Sequence, residues 1–171
     1  MVACEVTPVM KKEELKKTIL AFIENHNTIA LATERDGTPH VATVFYFNIG
    51  LNLYFLSSPF SRHGENFSYN PQVSGAINED CSNWLLIKGI QMEGRIEEVG
   101  SILKNGKLAK AYVKKFSTVS DFLLSPQKLG QAITNKVAKV KFYKLTPFKI
   151  YFIDNEISFG HRTELVNIEK K

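Results

Sequence analysis

The sequence predicts a mainly β domain with flanking helices, organised as a small antiparallel barrel. Three observations carry this. Short apolar runs of strand character recur along the chain. Tight turns such as Asp36-Gly37 and Asn48–Gly50 separate several of them. Helical periodicity is confined to a few amphipathic stretches outside the strand-rich regions. The length of 171 residues suits one domain with a real core, so we read residues 1–171 as a single unit.

Taken in order, Thr7-Pro8 is a cap-then-proline start. Leu15, Ile19, Phe22 and Ile23 then recur at helical spacing, which predicts an amphipathic helix over residues 11–25. Residues 28–33 read as a strand. Asp36-Gly37 is a hairpin signal, because glycine tolerates positive φ. Residues 41–47 and 51–56 complete a three-strand meander. Along the middle strand Val41, Thr43, Phe45 and Phe47 point one way, while Ala42, Val44 and Tyr46 point the other. Both faces are mostly apolar, so one lines a barrel and the other is covered by helices or a second subunit.

A helix is predicted from Ser58, with Ser as N-cap and Pro59 in the first turn, ending before Asn70-Pro71. Residues 72–78 form a fourth strand and residues 84–99 a long one, with Gly89 and Gly94 marking bulges. A helical insertion follows over residues 101–124, with Leu108, Tyr112 and Phe116 on one face. Residues 125–135 form a polar connection, and residues 137–145 and 148–153 two strands separated by Thr146-Pro147. Residues 157–159 follow a turn at Asp154-Asn155, and residues 166–171 form a polar tail.

Composition narrows the function classes. At 44% hydrophobic and 23% charged the chain is a globular composition, which argues against disorder. The two cysteines, Cys4 and Cys81, make no CxxC pair, so neither a zinc site nor a disulfide framework is expected, and a cytoplasmic location is. The first residues lack the apolar core of an export signal, and no apolar run is long enough for a membrane span. The net charge of +5 raises nucleic acid as a partner. Lys104, Lys107, Lys110, Lys114 and Lys115 instead fall on the polar side of a helix, and Lys139 and Lys141 alternate along a strand. Solvated faces explain both, so nucleic-acid binding is not expected. The four histidines have no metal-ligand spacing, and His26 and His40 read as solvent-facing residues at element ends. Trp84 and Tyr69 read as core aromatics.

The stretch LNLYFLSSPFSRHGENFSYNP, residues 51–71, gathers Ser57, Ser58, Ser61, Arg62 and His63 where a strand meets a helix start. A helix N-terminus offers free N–H groups and partial positive charge. Hydroxyls and an arginine beside it give a phosphate hydrogen bonds and charge neutralisation. A capped helix with polar surface side chains is the simpler account of the same residues.

The succession LYFLSSPFSRHGENFSYNPQVSGAI, then KGIQMEGRIEEV, then KVKFYKLTPFKIYFIDNEISFG resembles the FMN-binding split barrels related to pyridoxamine phosphate oxidase, more closely the uncharacterised bacterial YhbP-like branch. The resemblance implies an antiparallel split β-barrel, a homodimer, and FMN in a groove at the subunit interface. It assigns Val41, Ala42, Thr43 and Val44 to the isoalloxazine ring. It assigns Ser57, Arg62 and His63 to the phosphate, with Ser58 beside them. His63 stands where the oxidases carry lysine. Gln91 is offset by two residues from their flavin-contacting glutamine. His161 and Arg162 are the only counterparts of their C-terminal basic residues. The implied activity passes a hydride between the flavin and a small organic substrate or a nicotinamide. A non-catalytic flavin-binding or sensing protein, or a barrel holding another ligand such as haem, fits the same resemblance. No catalytic residue is assigned.

Overall fold

In a computed structural model, residues 10–101, 105–117 and 139–166 are described. The predicted cap at Thr7, the helix and connection over residues 118–135 and the tail beyond Val166 lie outside them.

Six strands close into a barrel. They are β1 (Thr28–Arg35), β2 (Thr38–Ile49), β3 (Asn52–Ser57), β4 (Gln72–Asn78), β5 (Lys88–Ser101) and β6 (Lys141–Asp154). The order is β3-β2-β1-β4-β5-β6, every described pairing is antiparallel, and β3 pairs with β6 to complete the ring. β7 (Arg162–Leu165) adds to the far half of β6. Inward side chains follow the period of two. Ile29, Leu31, Val44, Tyr46, Leu53, Phe55, Ile90 and Met92 are all buried in one cluster.

Helix α1 (Lys12–Asn25) supplies Leu15, Ile19, Phe22 and Ile23 to that core, as their spacing predicts. Four such side chains contribute on the order of 6–12 kcal/mol of gross transfer free energy, before ordering entropy. The buried Tyr46 hydroxyl donates to the Ile23 carbonyl at 2.8 Å and ties the last turn of the helix to β2. A second cluster, Phe47, Leu108, Tyr112 and Phe142, lies under helix α3 (Gly106–Lys115). The two faces of β2 thus diverge. Val44 and Tyr46 enter the barrel, and Phe47 packs under α3. Val41 and Phe45 stay 62% and 56% exposed.

The Asp36-Gly37 hairpin is as predicted, with both residues at positive φ (53° and 76°). Several boundaries differ. The helix expected from Ser58 is α2 (Arg62–Tyr69), and its N-cap is Ser61, whose side chain accepts from the Gly64 N–H. Ser58-Pro59 lies in a preceding turn, where the Ser58 carbonyl accepts from the Ser61 N–H at 3.1 Å. Residues 84–86 form a single 3-10 turn, Trp84–Leu86, capped by the Asn83 side chain, so the long strand begins at Lys88. That strand runs on to Ser101, and α3 begins after the Asn105 cap. Thr146-Pro147 does not break β6. The register shifts between Glu93 and Gly94, leaving Phe148 unpaired between Pro147 and Lys149. A bulge is where a residue without an N–H is tolerated in a sheet. Gly94 belongs there, because a Cβ would meet the Thr146 carbonyl oxygen at 2.7 Å. Gly89 lies in regular ladder.

Residues 157–159 form a turn rather than a strand. Asn155 closes that loop. Its side chain donates to the Trp84 carbonyl at 2.8 Å and accepts from the Gly160 N–H at 3.1 Å. Trp84 and Tyr69 are exposed, not core, at 58% and 65%. Lys115 does not share the solvated face of Lys107, Lys110 and Lys114. Its ammonium donates to the His26 carbonyl at 2.6 Å and lies 4.5 Å from the Tyr46 ring centroid. Burial pushes its pKa down. No described helix is long and apolar enough to cross a membrane.

Candidate anion and cofactor site

The end of β3 and the start of α2 meet at one rim of the barrel. Ser57, the last residue of β3, is buried and its Oγ lies 2.6 Å from His63 Nε2. Ser61 Oγ lies 3.1 Å from the same nitrogen. The proton of Ser61 is already committed, because its hydroxyl donates to the Ser58 carbonyl at 2.7 Å. Where Nε2 is the unprotonated ring nitrogen, the Ser57 hydroxyl is therefore the one that donates to it. Glu65 N–H goes to the Ser61 carbonyl and Gly64 N–H to the Ser61 hydroxyl. The amides of Arg62 and His63 have no acceptor among the described residues. These are the unsatisfied donors of a helix start.

His40 on β2 approaches from the opposite side. Its ring lies parallel to His63, 8° between planes and 6.4 Å between centroids. Burial holds the His63 pKa below the ordinary imidazole value, and the neighbouring His40 lowers it further. Asn66 braces the rim from below by donating to Thr33 Oγ1 at 3.0 Å, opposite His40 in the hairpin. Arg62, at the first position of α2, is exposed.

One residue beyond His40, the chain faces the other way. Val41 lines a shallow groove of about 440 Å³ on the outer face of the sheet, floored by Ala30, Ala32, Gly75 and Ala76. Gln91 and Arg162 border the same groove. The Arg162 guanidinium lies 4.0 Å from the Tyr151 ring centroid. His161 is tied to Thr163 Oγ1 by its Nε2 at 2.9 Å.

The backbone of β2 adds a second feature. β2 pairs with β3 only from Tyr46 to Ile49, so residues 38–45 have no strand on that edge among the described residues. Tyr46 N–H donates to the Asn27 carbonyl at 3.0 Å, which fixes the alternation of the β1–β2 ladder. Val44, Ala42 and His40 then bond to β1, and Val41 and Thr43 turn their N–H and C=O outward. The residues assigned to the ring from sequence therefore divide. Val41 and Thr43 present side chains and peptide groups outward. Ala42 and Val44 point inward, with Val44 in the core.

Of the phosphate residues, the structure joins Ser57, Ser61 and His63 and sets Arg62 beside them. Ser58 is a turn residue. Its hydroxyl accepts from the Phe60 N–H at 3.2 Å. Sequence reasoning missed His40. The Asp36-Gly37 hairpin register, which sets His40 opposite Thr33, was the available signal. Cys81 is an exposed free thiol, and the described residues hold no cluster of three potential metal ligands.

The residues present fit a flavin mononucleotide. Two unpaired helix amides, the Ser57 hydroxyl, Arg62 and an imidazole pair suit a phosphate dianion. The small-residue groove lined by Val41, and the outward peptide groups of β2, suit a flat heteroaromatic ring with donors and acceptors on its edge.

A closed six-strand antiparallel barrel with an opened β2 edge beside a helix start defines a split-barrel protein. The chain belongs to the pyridoxamine 5'-phosphate oxidase family, whose profile it matches over residues 15–154. Its sequence is 24% identical over 143 residues to a UPF0306 protein of Klebsiella pneumoniae, covering 82% of this chain and 86% of the relative. It is likewise 24% identical over 152 residues to the UPF0306 protein YhbP of Escherichia coli O157:H7, covering 87% and 91%. Among known structures it is similar to a putative pyridoxamine 5'-phosphate oxidase from Listeria innocua, with a TM-score of 0.60, 21% identity and coverage of 82% and 98%. An FAD-binding protein from Mesorhizobium loti gives 0.57, 22%, 80% and 88%. HutZ, a haem storage protein of Vibrio cholerae, gives 0.58, 20%, 78% and 89%. These structural likenesses are likenesses of fold.

Proposed function

We propose that the chain is an FMN-binding flavoprotein that passes a hydride between the flavin and a small organic molecule or a nicotinamide. The observation that carries this reading is the junction at His40-Val41. His40 stands beside His63 at the phosphate-suited corner, and Val41, the next residue of β2, lines the ring-suited groove on the other face.

In this reading Ser57, Arg62, His63 and the first amides of α2 bind the phosphate, and Ser61 caps the helix beside them. Val41 and Thr43 hold the ring edge through their outward N–H and C=O, and Val41 packs against its face. Gln91 donates or accepts at the opposite side of the groove. Bound flavin supplies two-electron chemistry at N5. The chain positions it, and its small-residue floor admits the ring close to the backbone. No side chain in the groove is assigned a proton-transfer role.

A second copy of the chain covers the groove. The outer face carries exposed Val41 beside the Ala30, Ala32, Ser74 and Ala76 floor, beyond the point where Phe45 meets Phe116 at the end of α3. An uncovered apolar sheet face is a surface that pairs. A homodimer would close the groove against water, which a hydride transfer requires.

The reading is tested by titrating the protein with FMN and with riboflavin while following flavin fluorescence. FMN should bind at least about tenfold tighter, the worth of a charge-assisted phosphate contact. Equal affinities would remove the phosphate corner from the site. The haem-binding neighbour supplies a second reading on the same fold, and titration with haemin, read in the visible spectrum, separates it.

A further inference from the structure

The corner contains one feature that an ordinary phosphate site does not need, a stacked pair of imidazoles with one ring bonded to a buried hydroxyl. We propose that His40 and His63 make phosphate capture here proton-coupled. A proton taken from solvent onto His63 turns the Ser57 hydroxyl from a donor to imidazole into a donor to the anion. The proposal deepens the flavin reading and rests on it for the identity of the phosphate-bearing ligand.

The switch starts from the His63 tautomer that carries its proton on Nδ1 and leaves Nε2 to accept from Ser57. Ser61 spends its proton on the Ser58 carbonyl, and its oxygen already accepts from the Gly64 N–H. With His63 neutral and Nε2 unprotonated, the 2.6 Å contact is Ser57 O–H donating to Nε2. Ser57 then has no proton left for a ligand, since a hydroxyl donates once. With His63 charged, Nε2–H donates to Ser57 Oγ and reaches toward Ser61 Oγ at 3.1 Å. The Ser57 proton is then free for an anion. The helix amides of Arg62 and His63 already lie open beside it.

His40 sets the threshold. Its ring opposes His63 at 6.4 Å, so two positive charges there repel unless a dianion lies between or beside them. Few other charges face His63. On β6, Lys141 lies opposite Ser57 in register, but its ammonium is paired with Glu98 at 2.7 Å. Tyr143 of the same strand is pushed up to about 12 by burial and by Glu98, and stays neutral. On β1, Glu34 is occupied by the Asn70 amide and the Gly37 N–H. α2 itself carries exposed Arg62 and Glu65. The free corner thus favours neutral imidazole, in keeping with the depressed His63 pKa from burial and His40. An arriving phosphate reverses that balance.

The sign follows from linkage. If the anion raises the His63 pKa, binding takes up a proton, so affinity increases as pH falls through the liganded pKa. It levels off below the free one. The coupling reaches about tenfold in affinity per pH unit for one proton. A phosphate monoester loses its second charge near pH 6, so the titration runs from pH 8.5 to 6.5.

The experiment measures FMN and riboflavin affinity across that range. It also follows the imidazole resonances of the full chain by NMR, with and without inorganic phosphate. FMN should tighten as pH falls while riboflavin stays level, and phosphate should raise the His63 titration midpoint. His63→Gln should flatten the FMN profile. His40→Gln should raise the His63 midpoint in the free protein, which a purely structural His40 would not do. FMN binding that is level across the range overturns the coupling and leaves the flavin reading intact. A His63 midpoint raised by phosphate, without FMN binding, sustains the anion switch and removes the flavin. Failure of both probes to move either histidine overturns the proposal.

Discussion

Gly64, on the first turn of α2, packs directly beneath the Ser58 carbonyl. A Cβ at Gly64 would collide with that oxygen and meet the Pro59 carbonyl oxygen at 2.9 Å. Both obstacles are backbone, so neither gives way as a side chain would. The close approach draws the Ser58-Pro59 turn onto the helix and holds Ser61 in capping position. Gly64→Ala should therefore cost about 1–3 kcal/mol by overpacking. Urea unfolding followed by circular dichroism checks it. An unchanged midpoint would mean the turn is free to shift.

Arg62 is exposed and carries no ion pair among the described residues, so in the proposed site it serves the ligand and not the fold. Arg62→Ala should change folding stability by no more than about 0.5 kcal/mol. It should weaken FMN by about tenfold and leave riboflavin alone. Parallel losses for both flavins would place Arg62 away from the phosphate.

The lowered His63 pKa also predicts how stability depends on pH. The folded value lies below the unfolded one, near 6.5, because of burial first and His40 second. Between those two values the unfolded chain binds more protons. Its contribution to stability is thus complete above about pH 6.5 and is lost as pH falls through the window below. Denaturant midpoints of wild type and His63→Gln, compared at pH 7.5 and 5.5, isolate this part. The variant should lose less stability on acidification. An equal loss would remove His63 from the account.

Ser74 sits near the middle of the outer face, paired in register with Ala32 and Glu93. Ser74→Arg places a long charged side chain on exposed surface, with little effect on a lone barrel. It should convert the proposed dimer to a monomer in sedimentation velocity and weaken FMN with it. A dimer that survives would put the subunit contact on another face.

Much of the fold was legible because local signals agreed. Asp36-Gly37 demanded positive φ and set the hairpin. Leu15, Ile19, Phe22 and Ile23 spelled one helical face. The errors arose where side chains overrode propensity. Ser58-Pro59 has the composition of a helix start, but Ser61 takes the cap three residues on. Thr146-Pro147 has the composition of a turn, but a bulge opposite Gly94 absorbs the proline. Arg162–Leu165 was missed as a strand, because the Asn155 contacts that close the preceding loop join distant segments. The same limit applies to the site. Ser57, Arg62 and His63 are near neighbours in sequence and could be read together. His40 reaches them only through the curl of the hairpin over α2. The outward turn of Val41 and Thr43 peptide groups depends on where β3 stops pairing with β2.

The central claim is that this barrel holds FMN, and the visible absorbance spectrum of the purified protein tests it most directly. The account predicts flavin bands in the protein as isolated or after addition of FMN, with the released chromophore identified as FMN. A colourless protein that leaves added FMN in solution, or a spectrum dominated by haem, would contradict it.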